Sequence, residues 1–118
     1  AEQEAASSTG VYVSPGRQQF HPSAAKCWVY YTYSGGTPTI QVSYNVTSLT
    51  DTAVGQATIN FTTNFSSANY ACVVGQKNHG AGLGGNPTQS TSQCSIRTRN
   101  TSFADTDTEG FAVLYGDQ

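Results

Sequence analysis

Three acids, three thiols and two imidazoles carry most of the chemistry this chain could perform. Asp105, Asp107 and Glu109 alternate with threonines in ADTDTEG (104–110). Glycosidic hydrolysis needs two carboxyl groups facing each other across a cleft. Acids at every second position of a polar turn read instead as a solvated loop, and they lack the glycine and ligand spacing of a calcium loop. Cys27, Cys72 and Cys94 make an odd count at wide spacings with no CxxC pair. Cysteine nucleophile chemistry would require one of them exposed beside His21 or His79. All three fall in strand-like segments, where a thiol packs as a small apolar group. The same placement is compatible with a single Cys72–Cys94 bridge. No HxH, HxxxH or CxxC spacing is present, so no metal site is predicted, short of one ligand per chain (His21 or His79) on a symmetry axis. No GxSxG elbow exists either. The sequence therefore predicts no catalytic residue, no metal and no cofactor.

Binding is the other chemistry on offer. The stretch KNHGAGLGGNPTQSTSQ (77–93) carries Asn78, His79, Asn86 and Gln89, whose amide and imidazole groups hydrogen-bond sugars and other polar polymers. Its glycines do not follow the GxGxxG pattern before a helix, so they supply backbone freedom rather than a phosphate cradle. A loop of this length is usually functional or disordered. CWVYYTY (27–33) places Cys27, Val29, Tyr31 and Tyr33 on one face of a strand, with Trp28, Tyr30 and Thr32 on the other. Aromatics on both faces imply that one packs inward and the other meets a partner.

The elements that must hold these groups are short strands. Residues 1–10, AEQEAASSTG, are the one helix-friendly segment, too short to stand alone. VYVSPG (11–16) reads as a strand running into a Pro-Gly turn, and FHPSAAK (20–26) as a connector. TIQVSYNV (39–46) predicts Ile40, Val42, Tyr44 and Val46 inward. A turn falls around Asp51–Gly55, then QATINFT (56–62) turns Ala57, Ile59 and Phe61 to one side. NYACVVG (69–75), apolar on both faces, predicts a central strand. CSIRTRN (94–100) alternates again, and GFAVLYG (110–116) closes the set. The pattern predicts an all-β fold: an antiparallel β-sandwich of seven to eight short strands over residues 27–118, preceded by a leader and connector over 1–26 with a short helix.

Composition narrows the function classes. The 118 residues carry a net charge of −2 with only 10% charged side chains, and five scattered basic residues leave no footprint for nucleic acid. No apolar run approaches the roughly 20 residues of a membrane helix. Leu, Ile, Val and Phe total 20, a thin stock for a self-sufficient core, so something outside the chain is expected to complete it. With no initiating Met, the chain reads as a fragment or a processed product.

Two blocks carry a family resemblance. VYVSPGRQQFHPSAAKCW (11–28) is similar to the "V-T-P-G-R-Q-Q-Y/F-H-P-S-A-A-K-A-W" segment of bacteriophage tail-fibre and related virion proteins, and the leader AEQEAASST resembles the run that often precedes it. SYNVTSLTDTAVGQATINFTTNFSSANYACVVG (43–75) resembles a second block of the same β module, and TSFADTDTEGFAVLYGD its closing strand. The chain departs from the pattern at Cys27, where Ala is usual, and in the glycine-rich 80–85 stretch. The resemblance implies a C-terminal, β-rich virion module, assembled in the bacterial cytoplasm, trimeric, and joined to other tail proteins. It implies non-enzymatic attachment to a surface glycan or protein of the host. On that reading the binding residues are Asn78, His79, Asn86 and Gln89, with Tyr31 and Tyr33 as stacking platforms, while Trp28 and Tyr30 lie between chains. The alternative is a head-fibre, decoration or tail-tip protein that binds no host molecule.

Overall fold

The computed structural model describes residues 14–18, 21, 23–77, 83–85 and 87–118. The expected helical leader over 1–10 and the strand before Ser14 lie outside the described residues. The expected Pro-Gly turn is instead one helical turn, α1 (Pro15–Gln18). Proline suits a first helical position, and Ser14 O accepts from Arg17 N at 2.9 Å.

Eight antiparallel strands follow: β1 (Cys27–Ser34), β2 (Thr37–Tyr44), β3 (Val46–Ala53), β4 (Gln56–Phe61), β5 (Ala71–Gln76), β6 (Leu83–Gly85), β7 (Gln93–Arg99) and β8 (Gly110–Tyr115). They form two four-stranded sheets, ordered β2-β1-β8-β5 and β3-β4-β7-β6. The sheets share one core. The first contributes Cys27, Val29, Tyr31, Ala112 and Leu114; the second contributes Ala57, Ile59, Phe61, Cys94 and Ile96. Phe65 and Tyr70, from the connection between β4 and β5, close one end by stacking on each other at 4.3 Å and meeting the edge of Phe61.

Turn chemistry sets the chain's path. Gly35 and Gly36, at φ 59° and 85°, supply the two left-handed residues of the β1–β2 hairpin. Asn45, at φ 59°, is the corner where the chain leaves the first sheet for the second. Its Nδ2 donates to Lys26 O and to Thr63 O, each at 3.0 Å, and its Oδ1 accepts from Thr63 N at 2.6 Å. One side chain thereby ties the corner to the start of β1 and the end of β4.

Two strands depart from expectation. In β2 the register against β1 jumps from Tyr30↔Val42 to Tyr31↔Ile40, leaving Gln41 as an extra residue. One extra residue reverses the parity of a strand. Val42 and Tyr44, expected inward, therefore point outward, while Pro38 and Ile40 face the core. β5, expected to be central, is among the described residues the edge of the first sheet, paired with β8. The expected 77–93 loop contains β6, a three-residue strand paired with β7, and Gln89 makes a further bridge to Cys94.

Candidate functional site

The outer faces of the two sheets are chemically opposite. On the second, hydroxyls and amides form cross-strand chains. Asn60 Nδ2 donates to Ser48 Oγ (3.0 Å) and Thr50 Oγ1 (2.9 Å). Thr58 meets Ser95 across the β4–β7 ladder at 3.2 Å, and Thr88 donates to Ser95 at 2.8 Å. Such a face satisfies itself and remains wettable.

The outer face of the first sheet is apolar across its whole width. Cross-strand register sets one row as Tyr44, Trp28, Val113 and Val73, and the next as Val42, Tyr30, Phe111 and Gly75. Trp28 and Tyr44 stack at 6.5 Å between ring centroids. Phe111 lies flat over the edge strand: a Cβ on Gly75 would come within 2.2 Å of its ring. Six of the large apolar side chains exposed among the described residues stand on this face, Trp28, Val42, Tyr44, Val73, Phe111 and Tyr115, with Val73 56% exposed and Val42 51%. Their open area is roughly 500 Å², toward the top of what a monomer usually leaves uncovered in one patch.

Charge at the margin of this face is closed on itself. The Tyr30 hydroxyl donates to the Glu109 carboxylate. Lys77 Nζ donates to Tyr30 Oη (3.0 Å) and to Glu109 Oε1 (2.9 Å), and stands 5.3 Å from the Tyr30 ring centre. The hydrogen bonds to Tyr30 and Glu109 hold the Lys77 ammonium above the ordinary lysine range.

The remaining acids are structural fasteners, which corrects the expectation of a solvated loop. Asp105 pairs with Arg99 at 3.0 Å and Arg97 at 3.8 Å and accepts from Gln56 Nε2 at 3.1 Å. The Arg99 hydrogen bond, followed by those of its other partners, lowers its carboxyl pKa. Asp107 Oδ1 accepts from Gly55 N at 2.6 Å, and Thr98 N donates to Gly55 O at 2.8 Å. The β3–β4 hairpin tip is thus seated between β7 and the 105–107 segment. Spacing alone could not reveal this, because Asp107 and its partner Gly55 lie 52 residues apart.

Of the expected binding residues, Tyr31, Tyr33 and Gln89 are described, and each has an internal role. Tyr31 is 1% exposed, packed edge-on to Tyr33 at 6.0 Å. The expectation of Tyr31 as a stacking platform is therefore corrected: it faces the core, as the strand's parity requires. Tyr33 is half-buried against the same core. Burial pushes the Tyr31 phenol up, and burial with Asp107 and Asp51 pushes Tyr33 up to about 12. Gln89 is partly buried and its Nε2 donates to Tyr70 O (3.2 Å) and to Ala68 O, holding the loop to the β4–β5 connection. Asn78, His79 and Asn86 lie outside the described residues.

Trp28 and Tyr30, by contrast, point outward with the apolar face around them. Sequence reasoning misses Tyr44 and Val42 because of the Gln41 bulge, Val73 because a strand apolar on both faces reads as central, and Phe111 and Tyr115 because no faces are assigned to GFAVLYG. The available signal was the doubly apolar alternation of GFAVLYG, which matches that of CWVYYTY.

None of the three cysteines is in a disulfide. Burial raises Cys27 to about 12. Cys72 and Cys94 meet across the two sheets at 3.6 Å between sulfurs, and the hydrogen bond with Cys94, then burial, holds Cys72 well above the usual thiol range. Among the described residues, no three His, Cys, Asp or Glu side chains cluster as metal ligands. No helix among them is long and apolar enough to cross a membrane. Comparison of the chain with protein-family models, with curated proteins and with solved structures gives no match.

Proposed function

We propose that the chain is a non-enzymatic β-sandwich module of a bacteriophage tail fibre, which assembles as a homotrimer and attaches the virion to the host surface. The resemblance in residues 11–28 and 43–75 supports the family. The observation that carries the assembly is the apolar outer face of the first sheet. The occupant of that face is further copies of the same chain. The two rows carry no unpaired charge, because Lys77 and Glu109 neutralise each other, so like faces meet without repulsion. A partner recognised by hydrogen bonds, such as a glycan, finds few polar groups between Trp28, Val113, Val73 and Phe111.

Three copies with this face toward a common axis bury Trp28 and Tyr30 between chains, complete the thin core, and turn the hydroxyl-lined second sheet outward. On this reading the 77–93 stretch supplies the contact with a bacterial surface glycan or protein, and several fibres acting together multiply a weak single-site affinity. Sedimentation velocity at micromolar concentration tests the assembly: three times the 12.4 kDa chain mass is expected, and a monodisperse monomer overturns it. Attachment is tested with the labelled trimer on host cells. Loss of labelling on phage-resistant cells lacking the receptor is expected, and equal labelling of both overturns host recognition.

The second reading is a structural head-fibre, decoration or tail-tip protein without host binding. It is favoured by the internal roles of Tyr31, Tyr33 and Gln89, three of the residues on which recognition was expected to rest. Labelling the module on intact virions separates the two, since only a tail-fibre attachment module sits at a distal fibre end.

A further inference from the structure

Two thiols face each other across the core. Cys72 lies on β5, which among the described residues is an edge strand paired with β8, and Cys94 lies on β7 of the opposite sheet. Their sulfurs are 3.6 Å apart, and β5 and β7 approach within 8 Å at Cα. Bridged cysteines have Cα separations of about 4.4–6.8 Å, and closing a bond of about 2.05 Å asks for an approach of about 1.5 Å, within reach of side-chain rotation. Cys27 is placed differently. It shares a cross-strand row with Leu114 and Cys72, with Leu114 in the middle, so two strand spacings, about 9.6 Å, separate it from Cys72.

We propose that Cys72 and Cys94 are a disulfide-forming pair, reduced as made and closed by a low-molecular-weight disulfide, and that the bond staples the free edge of the first sheet to the second. Cys72 is the partly exposed member and Cys94 the fully buried one, so the reagent is met at Cys72. Cys72, a neutral thiol at rest, releases its proton to water and attacks one sulfur of oxidised glutathione; the glutathione thiolate expelled takes up a proton, leaving a mixed disulfide on Cys72. Cys94 gives up its proton and displaces the second glutathione, forming the Cys72–Cys94 bond. Two protein thiols lose two electrons and two protons, and one glutathione disulfide becomes two glutathione thiols.

The bond closes residues 72–94 into a ring, which includes the 77–93 stretch. Cross-linking a loop of that size restricts the unfolded chain and ties down an edge strand that has one ladder neighbour among the described residues. The inference does not depend on what the 77–93 stretch binds, nor on assembly through the opposite face of the first sheet.

The test uses the whole chain, reduced, then incubated with oxidised glutathione, acid-quenched, denatured and alkylated. One alkylated cysteine, Cys27, is expected, on a chain lighter by two hydrogens before alkylation, with the Cys72 and Cys94 peptides joined until reductant is added. The oxidised chain should melt about 10 °C above the reduced one. Cys27→Ala should keep both the bond and the shift, while Cys72→Ser should lose both. Three alkylated cysteines after oxidation, a lasting glutathione adduct on Cys72, a bond to Cys27, or a bond without a rise in melting temperature each overturn the proposal.

Discussion

Tyr33 illustrates how a single side chain couples the core to pH. Burial first, and then Asp107 and Asp51, push its phenol from an ordinary 10 up to about 12. The folded chain therefore keeps a proton that the unfolded chain releases from about pH 10 upward. Stability linked to the neutral phenol is full below pH 10 and is lost as pH rises toward 12. Tyr31 and Tyr70 act in the same direction. Tyr33→Phe removes one of these groups, so the midpoint of alkaline unfolding followed by circular dichroism should rise, while the urea midpoint at pH 7 stays within about 1 kcal/mol of the parent. An unchanged alkaline midpoint would show that Tyr33 is not among the groups whose ionisation opens the core. Alternation groups Tyr33 and Tyr31 with Cys27 and Val29 on one face, but with aromatics on both faces it leaves open which one turns inward; the structure turns this one to the core.

At the scale of elements, the β3–β4 hairpin depends on one residue at its tip. Gly55 has φ 68°, and a Cβ there would lie 2.5 Å from Thr106 N and 2.7 Å from Thr98 O. Gly55→Ala combines left-handed strain with a backbone clash and should destabilise by roughly 2 kcal/mol or more, read as a lower urea midpoint at unchanged slope. A shift below a few tenths of a kcal/mol would mean that the tip is not seated against 105–107. Hairpin glycines, the alternation of β4 and the alternation of β7 were all legible in the sequence, because each rests on neighbours a few residues away. The β2 faces were not, since the bulge at Gln41 exists only in its pairing with β1. The edge position of β5 was hidden for a different reason. Its outward Val73 belongs to an apolar face, so the strand carries the two-sided pattern of a central strand without having two neighbours. The acids of 104–110 escaped because Gly55, Gln56, Tyr30 and Lys77 are distant in sequence, and because the nearer Arg97 and Arg99 reach Asp105 only once the chain folds back from β7.

For the whole molecule, the decisive property is the contrast between its two outer surfaces. Phe111 is 43% exposed on the apolar one and makes no core contact, so Phe111→Lys should leave the far-ultraviolet spectrum intact. Three lysines brought together at a shared axis should shift sedimentation from trimer to monomer at micromolar concentration. A trimer that persists in the variant would place the interface elsewhere. The same contrast accounts for the low charge and thin aliphatic content of the chain. In the proposed trimer a subunit borrows part of its core from its neighbours and needs fewer large residues of its own, and a hydroxyl- and amide-lined exterior stays wet without many charges.

The corner at Asn45 has a practical consequence for producing the protein. Asn45-Val46-Thr47 is an acceptor sequence for N-linked glycosylation, and the amide nitrogen that would carry the sugar is the one that donates to Lys26 O and Thr63 O. Glycosylation in a eukaryotic secretory pathway reaches the chain before it folds. A glycan at this position would occupy the space where the end of β4 and the start of β1 converge, and would keep the two sheets from being joined there. Bacterial cytoplasm, which adds no such sugar, is the host in which this corner can close.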